Sequence, residues 1–270
     1  MKRKSILIGF EYTGDKKLPG ITVDLYQVYN FLKRWGWKDD EITVYTDIKK
    51  DSQTDILKMS ILEKTVDSHI LSFIEDLQER KQHTEFTSHN HYNNFESIFK
   101  KEKEDNLFVY YTGHCKNGNL ILPNSSLLSL HSFTKILSKY ENVICIMDCC
   151  NGGIDLPFVC HEKVYRFESE KFVKNNIISI AAALQDENSV TSRAGSFFTK
   201  NLLSVLSNSK LSVYQIVEKT KNINVKNERK KQTANISTSF PTLHYLFPFL
   251  YSQENLVLSL TPYFVEILRN

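Results

Sequence analysis

Short, solid apolar runs alternate along this chain with longer helical stripes. Residues 5–10 form one such run, with a turn-forming glycine beyond it, and predict a buried strand. Val23, Tyr26, Val28, Phe31, Leu32 and Trp35 recur at helical spacing, which predicts a helix over 21–35 with Gly36 as its stop. A second strand is predicted at 41–45. A long amphipathic helix is predicted at 54–79, with Ile56, Met59, Leu62, Val66 and Ile70 along one side. From 81 to 104 the pattern dissolves into a polar, variable loop. Strands at 106–111 and 143–147 then flank a helix at 127–140, and a strand at 177–183 precedes helices at 195–207 and 211–221. A basic linker, 225–231, leads to a last strand at 242–247. Strands alternating with helices imply an α/β fold, a mostly parallel central sheet covered by helices on both faces, in one domain spanning 1–270.

Composition narrows the function classes. The 270 residues are 41% apolar and 24% charged, ordinary for a globular chain. Lys and Arg number 34 against 31 Asp and Glu, a formal charge of +3, which argues for neither nucleic acid nor a membrane surface as partner. No stretch approaches the roughly 18 apolar residues of a spanning helix. The five cysteines, Cys115, Cys145, Cys149, Cys150 and Cys160, are odd in number and crowded into one central segment. Reduced thiols in the cytoplasm suit that pattern better than a disulfide framework.

In mostly parallel sheets, reactive groups collect at the carboxyl ends of strands. The strand at 106–111 runs into Thr112-Gly113-His114-Cys115, and the strand at 143–147 runs into Asp148-Cys149-Cys150-Asn151-Gly152-Gly153. Neighbouring parallel strands would bring His114 close to the Asp148–Cys150 turn. An imidazole beside a thiol can take its proton and later return one to a leaving amine. The glycines allow a sharp turn and free N–H groups for an oxyanion. Other candidates have plainer readings. His83, His89 and His91 fall in the polar loop with no standard metal-ligand spacing, Cys145 sits in a buried strand, and Cys160 and His161 are sequence neighbours that would not face each other.

These segments resemble the metacaspases. Tyr110-Tyr111-Thr112-Gly113-His114-Cys115 is similar to their Tyr-Tyr-Ser-Gly-His-Gly, and Asp148-Cys149-Cys150-Asn151-Gly152-Gly153 to their Asp-Cys-Cys-His-Ser-Gly. Asp155-Leu156-Pro157-Phe158 resembles the Asp-Leu-Pro-Tyr/Phe of type I metacaspases, and Leu18-Pro19-Gly20-Ile21-Thr22-Val23-Asp24 resembles their Leu-x-Gly-Cys-x-Asn-Asp. The resemblance implies a caspase-like α/β sandwich and a cysteine endopeptidase working through a thioester. It assigns His114 as the base, Cys150 as the nucleophile and the backbone N–H groups of Cys115 and Cys150 as the oxyanion hole. Cys149 should be buried and inert. Asp24, Asp148 and Thr112 match the substrate pocket, and two carboxylates there would favour Arg or Lys in a protein or peptide substrate and repel an acidic one.

The sequence departs from that family in places. Cys115 replaces a glycine, Asn151-Gly152 replaces His-Ser, and Ile21 replaces a pocket cysteine. His114 and Cys150 lie 36 positions apart, closer than usual, because only Lys116-Asn117-Gly118-Asn119 stands where the family has an acidic stretch. Calcium takes about six to eight oxygen ligands, and Asp155 alone matches a family ligand. The expectations are therefore no cofactor, no calcium requirement, no other metal, and a monomer. The first core strand starts at residue 5, so no prodomain is expected. Two other functions stay open at this point: a catalytically weak or inactive caspase-fold protein that binds partners, and a redox protein using Cys115, Cys149 and Cys150. A role in regulated proteolysis or cell death rests on analogy alone.

Overall fold

The computed structural model describes residues 3–48, 68–79, 95, 97–99, 106–123, 125–154, 156–160, 164–166, 175–184, 187–207, 211, 215–216, 218–220 and 232–239. Its first half contains β1 (Arg3–Gly9), α1 (Ile21–Arg34), β2 (Ile42–Thr46), α2 (Ser68–Glu79), β3 (Asn106–Thr112), β4 (Cys115–Lys116), β5 (Asn119–Ile121), β6 (Leu127–Ser129) and α3 (Leu130–Leu137). The second contains β7 (Asn142–Asp148), β8 (Phe158–Cys160), β9 (Val164–Arg166), β10 (Asn176–Ala181), β11 (Thr191–Ser192), β12 (Gly195–Ser196), α4 (Phe197–Leu206) and β13 (Asn235–Thr238).

Eight strands form one sheet in the order β2-β1-β3-β7-β10-β13-β8-β9. The first five are parallel, as the apolar runs predict, and β13, β8 and β9 add antiparallel pairs at the other end. A parallel strand inside such a sheet is buried on both faces, so β3 and β7 read as nearly unbroken apolar runs.

Successive side chains on a strand point to opposite faces. Phe108 and Tyr110 of β3 and Ile144 and Ile146 of β7 join the core built with Leu25 and Val28 of α1 and Phe198 and Leu202 of α4. Leu107, Val109 and Tyr111, with Val143, Cys145 and Met147, join the opposite core with Phe133 and Leu137 of α3. This parity also sorts the chemistry: Asp148 belongs to the α1–α4 side of the sheet, and Cys149 lies in the α3 core.

Two expectations shift. The helix predicted at 127–140 is a short strand followed by a helix, because residues 127–129 pair with β5 in a three-stranded sheet of their own. Ser129 then caps α3, its Oγ accepting from the Ser132 N–H at 3.0 Å. The antiparallel strand β13 went unpredicted, since Asn235, Ser237 and Thr238 look like loop residues although all are buried. The strand predicted at 242–247, the linker 225–231, the histidines of the 81–104 loop, His161, and residues 54–67 of the long helix lie outside the described residues. Among the described residues, no helix is long and apolar enough to cross a membrane.

Gly20 starts α1 with a left-handed φ of 93°. A Cβ there would fall 2.1 Å from the Ser192 carbonyl oxygen, so α1 and the β11–β12 hairpin meet backbone to backbone. Gly20→Ala should cost about 2–3 kcal/mol through that clash and the forced backbone conformation, measured as a fall in the urea midpoint at constant slope.

Candidate active site

The last rung of the β3–β7 ladder pairs Thr112 with Asp148. His114 and Cys150 each lie two residues further on, so the register delivers both to the same sheet edge. The next step along, Cys115, keeps this offset: its thiol donates to the Asn151 carbonyl at 3.6 Å. Gly113 N–H reaches the Asp148 carbonyl at 3.4 Å, the last main-chain link before the chains diverge. Cys150 is half-buried, and Asn151 turns the chain with a left-handed φ of 52°.

His114 Nε2 lies 2.8 Å from the Lys16 carbonyl oxygen. A carbonyl only accepts, so Nε2 carries the proton in that contact and Nδ1 keeps its lone pair in the neutral ring. The tautomer needed to take a proton at Nδ1 is thereby selected by main chain from the loop between β1 and α1.

The three clustered thiols differ. Cys149 is fully buried, and burial pushes its thiol well above the ordinary value. A hydrogen bond with Cys149 holds the Cys115 thiol below its own. Cys145 is buried in β7, where desolvation raises it as well. Unlike Cys115, Cys145 and Cys149, Cys150 is not buried.

On the α1–α4 side two carboxylates are buried close enough to interact by charge. Asp24 comes from the first turn of α1, and its Oδ1 accepts from the Ser196 N–H at 2.8 Å. Its Oδ2 is buried without a hydrogen-bond partner among the described residues. Asp148 is better supplied: Ser189 Oγ donates at 2.7 Å and Thr199 Oγ1 at 2.5 Å, with a further hydrogen bond from the Ser196 side chain. Burial pushes both carboxyls above the usual range, and Asp148 raises Asp24 further by charge repulsion. Thr112 is buried opposite Asp148 in the ladder and hydrogen-bonds Tyr110, whose hydroxyl meets Thr199 Oγ1 at 2.7 Å.

The structure thus sets His114, Cys115 and Cys150 just beyond the ends of β3 and β7, and Asp24, Thr112 and Asp148 near that end of the sheet with both carboxylates on its α1–α4 side. Ser189, Ser196, Thr199, Tyr12 and Lys16 were missed. Ser196 did carry a signal, as a helix-capping serine before α4, but the direction of its N–H toward Asp24 had none. Glu187 accepts from the Thr233 N–H and Oγ1 and from the Leu184 N–H, and its carbonyl accepts from Asn151 N–H at 3.3 Å, so this loop braces the turn after Cys150. Asp155 lies outside the described residues. Among the described residues, no three His, Cys, Asp or Glu side chains gather closely enough to hold a metal.

The sheet thus carries a histidine and a cysteine just beyond the ends of its adjoining central strands β3 and β7. The fold resembles the crystal structure of caspase-1 from Spodoptera frugiperda, with a TM-score of 0.52 over 87% of this chain and 86% of that one. Identity is 14%, so that likeness concerns the fold. A 54-residue stretch is 43% identical to metacaspase-1 of Mycosarcoma maydis, covering 20% of this chain and 13% of that relative. The model of the peptidase C13 family matches residues 21–238; the chain belongs to that family and, with it, to the cysteine peptidases.

Raised carboxyls make stability depend on pH in a defined direction. A group whose folded pKa is raised contributes stability below its unfolded value, and this is lost as pH rises through the folded value. Asp24→Asn keeps the acceptor for Ser196 and removes the buried charge. The variant should therefore gain on the wild type as pH rises from 4 to 8, by about 1 kcal/mol or more, read from urea unfolding at the two pH values.

Proposed function

We propose that this protein is a cysteine endopeptidase in which His114 and Cys150 form the catalytic dyad, cleaving after Arg or Lys selected by Asp24 and Asp148. The observation that carries this reading is the shared offset of His114 and Cys150 beyond the Thr112–Asp148 rung. In this mechanism His114 Nδ1 takes the Cys150 proton, and the thiolate attacks the carbonyl carbon of the scissile amide. The carbonyl oxygen gains negative charge and is held by the N–H groups of Cys115 and Cys150. Collapse breaks the C–N bond while the imidazolium protonates the departing amine, leaving a thioester on Cys150. Water, giving its proton to His114, then releases the new carboxylate and restores the thiol.

Support for the basic preference comes from the carboxylate pair. Two buried acids with raised pKa values, one with an oxygen lacking a partner among the described residues, are a costly arrangement in the free protein. A guanidinium or ammonium group would relieve the repulsion between them and supply the missing donor. An aspartate side chain in the same place would add a third negative charge.

Calcium does not fit the residues beside His114. The β4–β5 turn holds Lys116, Asn117, Gly118 and Asn119, with Asn119 Nδ2 donating to the Asn117 carbonyl at 2.8 Å, and it presents no carboxylate. We also take the enzyme to act as a monomer in the reducing cytoplasm, where Cys150 stays a free thiol.

Cys150→Ala should lower peptide cleavage by about 10³-fold or more, while Cys149→Ala stays within a few-fold of wild type. The opposite pattern would reverse the assignment of the two sulfurs. On Arg and Asp peptides of one sequence, cleavage should be confined to Arg, and Asp148→Asn should raise KM for the Arg peptide about tenfold. Acidification should raise that KM before an ordinary carboxyl titrates, because protonation removes the charge that holds the substrate and both carboxyls are raised. Activity should also persist in excess chelator; silence restored by micromolar calcium would show that another acidic cluster builds a site.

A further inference from the structure

Tyr12 lies just past β1, and no sequence pattern marks it. It is one of four described non-glycine residues with a positive φ, at 58°. Such a conformation is unfavourable for a bulky side chain and persists only where its surroundings hold it. The holding group is Asp47, just past β2, whose two carboxylate oxygens accept from the Glu11 N–H at 2.7 Å and the Tyr12 N–H at 2.9 Å. The turn swings the phenol under the loop that carries His114.

There the hydroxyl works in both directions. It accepts from the His114 backbone N–H at 2.9 Å and donates to the Ile121 carbonyl at 2.6 Å, tying His114 to strand β5. Tyr111, from the end of β3, donates its own hydroxyl to the His114 carbonyl at 2.9 Å, so a tyrosine grips each side of this residue's main chain. The Tyr12 ring lies 4.6 Å from the imidazole, tilted by 43°. Gly113 completes the arrangement: a Cβ there would come within 2.8 Å of the Tyr12 hydroxyl and 3.0 Å of the Tyr111 hydroxyl. Burial pushes the Tyr12 phenol well up, so it remains a neutral donor throughout the working pH range.

We infer that Tyr12 is the positioning residue of His114, its hydroxyl fixing the histidine's main chain, its ring fixing the imidazole plane, and Asp47 aiming both. The inference rests on the dyad reading above. The hydrogen bonds of the Tyr12 side chain run to the His114 segment and to its neighbours Tyr111 and Ile121, so it acts through His114. A proton transfer between imidazole and thiol depends steeply on their separation, and a misplacement of about 1 Å costs on the order of 10²-fold.

The test is Tyr12→Phe, which keeps the ring and removes the hydroxyl, and Tyr12→Leu, which removes both. Turnover of an Arg peptide and the rate of Cys150 alkylation by chloroacetamide at neutral pH are measured with each variant. The expected result for Tyr12→Phe is a fall in kcat and in alkylation rate of about tenfold, with KM within twofold, and a larger fall for Tyr12→Leu. In a His114→Ala background, Tyr12→Phe should leave the alkylation rate unchanged, because the group it positions is gone. Wild-type kcat in folded Tyr12→Phe overturns the inference, as does equal slowing of alkylation with and without His114. Should Tyr12→Phe fail to fold, Asp47→Asn reads the same split with Tyr12 intact: kcat down about threefold at constant KM supports the role, and unchanged kcat overturns it. Failure of the dyad itself would look different, since His114→Ala alone would then cleave at the wild-type rate.

Discussion

Parallel pairing of β3 with β7 is the constraint on which the rest depends. Their register is continuous from the Asn106–Asn142 pair to the Thr112–Asp148 pair, with no bulge to shift it. Slippage by one residue would move every apolar side chain to the wrong face, and both faces here are buried against helices. The energetic cost of misregister is therefore spread over two hydrophobic cores, and the positions of His114 and Cys150 just beyond the last rung inherit that rigidity. The geometry of the proposed dyad is set in this way by packing far from the two side chains.

The same pleat separates two chemistries that would interfere with each other. Odd positions of β7 lead to Cys149 in an apolar core, where burial keeps its thiol protonated. Asp148, on the opposite side, faces the starts of α1 and α4, which bring Asp24, the capping Ser196 and Thr199. Helix starts have unpaired N–H groups, and capping serines and threonines add hydroxyls. The carboxylates are held by these donors in a volume from which water is largely excluded. Repulsion remains between them, and it is the electrostatic feature that a cationic substrate group would relieve.

Around this frame, the loops supply orientation. Lys16 selects the histidine tautomer through its carbonyl, Tyr12 and Tyr111 hold the histidine's main chain, and Glu187 braces the turn after Cys150. None of these contacts involves neighbours in sequence beyond Tyr111 and His114. They link the end of β1, the end of β3 and the loop after β10, three strand ends that the sheet order sets side by side or nearly so.

The parallel core of the sheet was legible from residue order alone, because buried strands and amphipathic helices leave periodic apolar patterns that are local. The candidate residues were nameable there too: His114 and Cys150, because strand ends and glycines flank both, and Asp24 and Asp148, through the resemblance of their segments to one family; the structure then buries the two carboxylates within reach of each other's charge. Folding had to show that residues 127–129 leave the helix for a small sheet, since pairing with β5 is not local. It alone revealed β13, whose polar side chains are satisfied by distant partners: Asn235 Nδ2 donates to the Ala183 carbonyl and Ser237 Oγ to the Ile154 carbonyl. It alone left Asp24 Oδ2 without a hydrogen-bond partner among the described residues and gave Tyr12 its hold on His114. Hydrogen bonds between residues about a hundred positions apart leave no periodicity behind, so their partners become visible only once the chain has folded.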